Sequence, residues 1–296
     1  METTILYGNG VNLLGGGKSW EQILKDISDK PSLPPIQSNT LKYEYIILPQ
    51  KEIDRVCFTD KNGVRFITAD NKLLIVNVNT EENLKRELSL ELQKNEPSSF
   101  YQKLAESKAE HFITTNYELF LNNTFVNKDY HIKSSVTSDS CLYRHVILEK
   151  EYKKVSIWNI HGDINNSNSI MLGLSDYCKY VAEIDNFLNS EIKNEKTCWV
   201  NLLFNTNVHI IGFGMAYEEI DLWNVLTTRM RLKRKNQDLC TNKIVYYAIR
   251  DCSFDFGKNH LLEALGVDVV EVPFDYSNDA YNKAYDYIYD KLTSNT

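Results

Sequence analysis

Cysteine is sparse and scattered. The chain has six, Cys57, Cys141, Cys178, Cys198, Cys240 and Cys252, with no two at metal-clip spacing. The lack of any Cys-x-x-Cys disfavours a zinc ribbon, and scattered thiols point to a reduced compartment. No apolar run approaches the ~20 residues of a membrane span. The N-terminus, with Glu2, shows no secretory pattern. The expectation is a soluble cytoplasmic protein with no membrane contact. Positive charge is also short, 33 Lys and Arg against 40 Asp and Glu, a net charge of −7. That balance argues against direct nucleic-acid binding. The one basic run, Arg229 to Lys235, closes a predicted helix, where cations complement the helix dipole. Repeats and low-complexity segments are missing as well. What remains is 296 residues, 43% hydrophobic, enough to bury one full core.

Proline numbers six, and three fall in one loop, KPSLPPIQSN. Glycine numbers 12, yet five lie within ILYGNGVNLLGGG at residues 5–17. Such a cluster marks an awkward turn or a close approach to the backbone. Before it, TTILYG reads as a short buried strand; after it, SWEQILKDI reads as a helix with Ser19 and Gln22 forming a capping box. Residues 53–78 read as two or three strands, with turns at Lys61-Asn62-Gly63 and Ala69-Asp70-Asn71. Pro97 splits 81–108 into two helices. HFITTNYELFL and VSIWNIHGD are strands ending in polar turns, and residues 122–152 read as irregular. Ser175 caps a helix in SDYCKYVAEIDNFL. VHIIGFGM is a buried strand followed by a helix with Ile220, Trp223, Leu226 and Met230 on one face. KIVYYAIRD, VDVVEVPF and a Tyr-rich helix finish the chain. Strands alternating with helices predict a single α/β domain over 1–296, a Rossmann-like parallel sheet with helices on both faces. Insertions fall near 40–80 and 122–155.

Ligands of such sheets bind beyond the carboxyl ends of the strands, and four motifs lie there. In GNGVN, Gly8, Asn9, Gly10 and Asn12 form a loop whose free N–H groups would suit a pyrophosphate. It is not a full GxGxxG, because Leu13 stands where the third glycine belongs. In TTNYE, Thr115 and Asn116 end a strand. Asn116 serves there either as a helix N-cap or as a neutral amide holding water or a ribose hydroxyl. In HGD, His161 takes a proton near neutral pH or serves as a structural histidine, and Asp163 is its candidate orienter. In GFGM, Gly212, Phe213 and Gly214 open the sheet edge. Glu218, Glu219 and Asp221 follow in the first turn of the next helix, where its dipole favours acids; they would repel a phosphate.

In this order and spacing the motifs resemble the sirtuin-like superfamily, and more closely the bacterial sirtuin-like NAD hydrolases of anti-phage defence. YGNGVNLLGGGKSW resembles the sirtuin loop that opens the NAD site. TTNYE is similar to a Thr-x-Asn-x-Asp signature, with Glu118 in place of Asp, and IHGD resembles the histidine turn. The likeness touches residues 5–25, 110–121, 157–180 and 208–232. The four-cysteine zinc module of deacylase sirtuins is missing, and Asn12 stands where sirtuins carry serine. The resemblance therefore implies NAD as substrate and cleavage of the nicotinamide–ribose bond, with water as acceptor and no metal. Under it, Asn116 positions water or ribose, and His161 contacts the ribose hydroxyls and acts as base. Gly8, Asn9, Gly10, Asn12, Thr115, Gly212, Phe213 and Gly214 contact the dinucleotide.

An unregulated NAD hydrolase would kill its host, so control by self-association or a separately encoded defence partner is expected. Rival readings are hydrolysis of a related nucleotide, as in abortive-infection proteins beginning Gly-Asn-Gly, and a silent NAD- or ADP-ribose-binding subunit. A Rossmann dehydrogenase is disfavoured, since no ribose-binding acid stands at a strand end about 20 residues on.

Overall fold

Residues Thr3–Tyr7 alternate between two buried faces, Leu6 packing into one hydrophobic cluster and Ile5 and Tyr7 into another. That alternation puts the run in the middle of a sheet covered on both sides. In this computed structural model it is β1, the central strand. The structure describes residues 1–294 except 29–32, 48–52, 61–62, 69–72, 78, 139 and 190–196, and the backbone alone within 51–80. The remaining strands are β2 (Ile53–Asp60), β3 (Gly63–Thr68), β4 (Leu73–Asn77), β5 (His111–Thr114), β6 (His131–Val136), β7 (His145–Lys150), β8 (Lys153–Asn159), β9 (Asn207–Ile211), β10 (Ile244–Ile249) and β11 (Asp268–Val272).

Eight of them form one sheet in the order β11-β10-β9-β1-β5-β8-β7-β6. Pairs from β11 through β8 are parallel; β8 with β7 and β7 with β6 are antiparallel. The expected α/β, Rossmann-like sheet is therefore present, extended by an antiparallel hairpin. That hairpin corrects the reading of 122–152 as irregular. The segment holds the helix Phe120–Val126, then β6 and β7. Every residue of β6 is exposed, so no apolar alternation marked it as a strand.

The excursion after residue 50 is a separate three-stranded antiparallel sheet, β2-β3-β4, in line with the two or three strands expected. Its expected turns, Lys61-Asn62 and Ala69-Asp70-Asn71, lie outside the described residues. The Ser19–Gln22 capping box forms, with Gln22 N–H donating to Ser19 Oγ at 3.2 Å and Ser19 N–H to Gln22 Oε1 at 2.7 Å. Ser175 is not a cap: its helix begins at Leu174, and Asp176 accepts from the Leu172 and Gly173 N–H groups. In the helix Ile220–Lys235 the buried residues are Asp221, Leu222, Val225, Leu226 and Arg229. The face expected through Ile220, Trp223 and Met230 is rotated, because two of its inward residues are charged. No helix among the described residues is long and apolar enough to cross a membrane.

The chain runs from β1 outward to β5 and β8, then returns across the sheet to β9 on β1's other side. The order reverses between β1 and β9, and there the loops after both strands touch. Gly10 N–H donates to the Gly212 carbonyl at 2.8 Å, and Gly8 N–H to the Ile211 carbonyl at 3.2 Å. Gly212 has φ +55°, and a Cβ there would meet the Tyr285 hydroxyl at 2.5 Å and Val11 N at 3.1 Å. Replacing Gly212 by Ala is expected to cost roughly 1–3 kcal/mol. Adding Tyr285→Phe should return only the steric part. Urea midpoints of the three proteins check this, and a G212A chain as stable as the wild type would contradict the tight seam.

Candidate functional site

Sheet register sets the site. Tyr7 pairs with both Ile211 and Thr114, and Thr114 pairs with Asn159. The turns beginning at Gly8, Thr115, Ile160 and Gly212 thus all leave the sheet at one rim. They border a cleft of about 700 Å³, large enough for a dinucleotide, at the point where strand order reverses. Of the site residues expected from sequence, Asn9, Gly10, Thr115, Asn116, His161, Gly212, Phe213 and Gly214 line it.

Three do not. Gly8 lies beneath, where a Cβ would strike the Gly212 carbonyl at 2.9 Å. Asn12 is 2% exposed and braces the loop from below. Its Nδ2 donates to Glu118 Oε2 at 3.1 Å and to Asn9 Oδ1 at 3.0 Å, and its Oδ1 accepts from Tyr101 at 2.5 Å. Asp163 faces away, paired with Arg144 at 2.5 Å. The expected pyrophosphate cradle is largely taken up within the loop. The N–H groups of Gly8, Gly10, Val11 and Asn12 are all spent on carbonyls of the protein itself.

Asn116 is not a helix cap, because the next helix starts at Phe120 with Leu119 before it. Instead its Nδ2 donates to the Gly8 carbonyl at 3.2 Å and to the Tyr101 hydroxyl at 3.4 Å. With both amide hydrogens used, Oδ1 is the atom left for a ligand or water. Glu118 anchors the network, accepting from Asn12 and from Asn95 at 3.1 Å; burial holds its carboxyl above the ordinary range.

His161 is 2% exposed, and its partner is Asp221, Nε2 to Oδ2 at 2.8 Å. Asp221 is fully buried in the first turn of its helix. It therefore does more than satisfy a helix dipole. The Nε2–H···Asp221 bond leaves Nδ1 as the basic nitrogen, 3.4 Å from the Tyr177 hydroxyl. Burial opposes charge on the ring, but Asp221 and Glu219 outweigh it, and the His161 pKa lies above its ordinary 6.5. Burial pushes the Glu219 carboxyl up to about 7, against the pull of His161.

A family profile described as SIR2-like domain matches residues 110–269, more than half of the chain. The chain belongs to the SIR2-like domain family. No curated protein matches it. SIR2-like domains are NAD-dependent enzymes, which implies NAD as substrate or ligand. The matched SIR2-like segment runs from the start of β5 into β11 and holds Asn116, His161 and Gly212–Gly214. The first glycine loop lies outside it.

Sequence reading missed the SIR2-like site's supporting residues. Tyr101 and Tyr177 carry no motif, and Asp221 was visible only as a helix-start acid. The cleft's one lining lysine or arginine among the described residues, Lys258, also went unremarked. Its Nζ donates to the Gly214 carbonyl at 2.7 Å, and burial lowers its pKa. His161, Glu219 and Asp221 offer ligand atoms within 4.8 Å of one another, close enough to hold a metal ion. The expectation of no metal came from the cysteine spacing and the missing four-cysteine module, and it does not reach this set.

Two protonation equilibria follow. Both His161 and Glu219 have folded pKa values above their ordinary 6.5 and 4.5. The folded chain then binds more protons than the unfolded one, so their contribution to stability is lost as pH rises. For Glu219 the window is from about 4.5 to 7. Glu219→Gln is expected to flatten the fall of unfolding free energy across that window, measured as wild type minus variant. An unchanged slope would separate Glu219 from the histidine pair.

Proposed function

We propose that the chain is an NAD+ glycohydrolase that releases nicotinamide and ADP-ribose. The observation that carries this reading is that Asn116 and His161, from separate strands, border one cleft with complementary atoms, a free amide oxygen on Asn116 and on His161 an Nδ1 within reach of the Tyr177 hydroxyl. Asn116 offers an acceptor, Oδ1, in a fixed direction. His161 offers a base, Nδ1, whose protonated form Asp221 stabilises. The reaction exchanges the nicotinamide–ribose bond for a bond to water. Asn116 Oδ1 orients that water or a ribose hydroxyl, His161 Nδ1 accepts the proton, and the acids near His161 favour positive charge developing on the sugar. Since the N–H groups of Gly8, Gly10, Val11 and Asn12 are occupied, the diphosphate is assigned to Lys258. Glycines 212 and 214 let the backbone approach the ligand closely.

The SIR2-like assignment supports the ligand class. The likeness of the four motifs to anti-phage NAD hydrolases supports the role of an NAD-depleting defence effector. Control by self-association or a separately encoded partner completes the proposal.

Asn116→Ala is expected to slow nicotinamide release by about 10²-fold or more while leaving thermal unfolding near wild type. Activity of the wild type should rise with pH through a midpoint above 6.5, because the base must be neutral. Near-normal NAD consumption by the Asn116 variant would reject the assignment. Binding of NAD without turnover would favour a silent regulatory subunit. Specific activity that stays flat across a wide protein concentration range would remove self-association as the control.

A further inference from the structure

Tyr101 lies beneath Asn116, 1% exposed, in the first turn of the helix Phe100–Glu106. Its ring packs edge-on against Tyr7 and Phe120, with centroids 5.9 and 5.5 Å apart, which holds the hydroxyl in place. Burial pushes the phenol well above its ordinary range, so the oxygen keeps its single proton. The direction of that proton is fixed from outside. Three side chains, Asn9, Asn12 and Tyr101, join the Lys18 carbonyl to Asn116, and every hydrogen bond between them runs the same way.

Asn9 Nδ2 donates to the Lys18 carbonyl at 2.9 Å. A carbonyl only accepts, so Asn9 must face it with nitrogen, and its Oδ1 is left to accept from Asn12 Nδ2 at 3.0 Å. The other Asn12 hydrogen goes to Glu118 Oε2 at 3.1 Å, which turns Asn12 Oδ1 toward Tyr101. The Tyr101 hydroxyl donates there at 2.5 Å and so presents a lone pair to Asn116. Asn116 Nδ2 donates to that lone pair at 3.4 Å and to the Gly8 carbonyl at 3.2 Å. Main-chain carbonyls thus fix both ends of the run with one polarity. Reversing any of its amides would set like groups against each other at both of that amide's contacts.

We propose that Tyr101 is a positioning residue: its hydroxyl, aimed by Asn9 and Asn12, keeps the Asn116 amide turned with nitrogen inward and Oδ1 toward the cleft. The Gly8 carbonyl alone would leave the amide hinged on one hydrogen bond. Tyr101 supplies the second point that stops it swinging. This role accounts for Asn12, a polar residue fully engaged away from the cleft. Any consequence for turnover rests on the glycohydrolase reading; the orientation of the amide does not.

Hydrogen exchange of the Asn116 side-chain amide, followed by NMR on the full chain without ligand, tests the role. In the wild type both Nδ2 protons should exchange far more slowly than those of an exposed asparagine. Tyr101→Phe keeps the ring and removes the hydroxyl. It should speed that exchange by about fivefold, the equivalent of one net hydrogen bond. It should lower kcat for NAD by a similar factor and leave KM near the wild-type value. In an Asn116→Ala chain the same substitution should change the rate by no more than about twofold, since nothing is left to position. Unchanged amide exchange, a raised KM with kcat intact, or a full further loss on top of Asn116→Ala would overturn the assignment. Should Tyr101→Phe not fold, Asn12→Ala frees the Tyr101 proton to turn toward Asn116 and should speed the same exchange; unchanged exchange there would overturn the role equally. A chain that consumes no NAD removes the kinetic half together with the glycohydrolase reading, and the exchange measurement still decides which way the amide faces.

Discussion

The close approach of the loops after β1 and β9 is the constraint on which the cleft depends. Backbone meets backbone there, Gly10 N–H on the Gly212 carbonyl at 2.8 Å, and the Tyr285 hydroxyl fills the remaining space. A side chain at either glycine would part the loops. The Gly8 carbonyl would then leave Asn116 Nδ2, and the amide would lose one of the two bonds that set its direction. The glycines that looked like a ligand cradle thus serve the protein first. They let two strands end at the same height, and the ligand surface is what remains above them.

The second dependency is electrostatic. Burying Asp221 completely is expensive unless the charge is paired and hydrogen-bonded. His161 supplies one bond at 2.8 Å to Oδ2, while Oδ1 has no partner among the described residues. The pair is stabilised most when the imidazole is charged, which is why burial fails to depress the His161 pKa. A buried base of this kind offsets more of the cost of its aspartate when Nδ1 is also protonated than when only the Nε2–H donates. Glu219, itself shifted to about 7, modulates that balance within the physiological range.

Much of this was legible in the sequence, and the losses have physical causes. Buried central strands such as VHIIG announce themselves by continuous apolar runs, so the parallel sheet and its rim of polar turns were readable. The all-exposed β6 has no buried face to betray it. Asn116 and His161 stood out because strand ends in an α/β sheet are where ligands bind. Which acid faces His161 was not readable: Asp163 is two residues away and Asp221 sixty, and chain proximity says little across a turn that reverses at a positive-φ glycine. Asn12 misled for a related reason. A polar residue in a glycine loop resembles a ligand contact, but a short helix turned it inward, toward Tyr101 and Glu118.

The lining of the cleft also decides how a dinucleotide would lie in it. Five carboxylates, Glu118, Glu218, Glu219, Asp251 and Asp255, face one lysine, Lys258. Two unit charges about 4 Å apart in partly screened surroundings interact by roughly 4 kcal/mol, so the acids cannot be ignored. They are not equivalent, however. Burial pushes Glu118 and Glu219 toward neutrality, at the Asn116 and His161 end. Asp251 and Asp255 stay ionised, held below the ordinary range by bonds to Ser253 and Tyr281 in the one case and to the Lys258 N–H in the other. Lys258 stands between these two regions, tied to the Gly214 carbonyl at 2.7 Å. A ligand with a negative middle and neutral or cationic ends meets this pattern with the least repulsion. NAD has that distribution, with its diphosphate flanked by a nicotinamide that is positively charged and an adenosine whose hydroxyls can donate to an ionised aspartate.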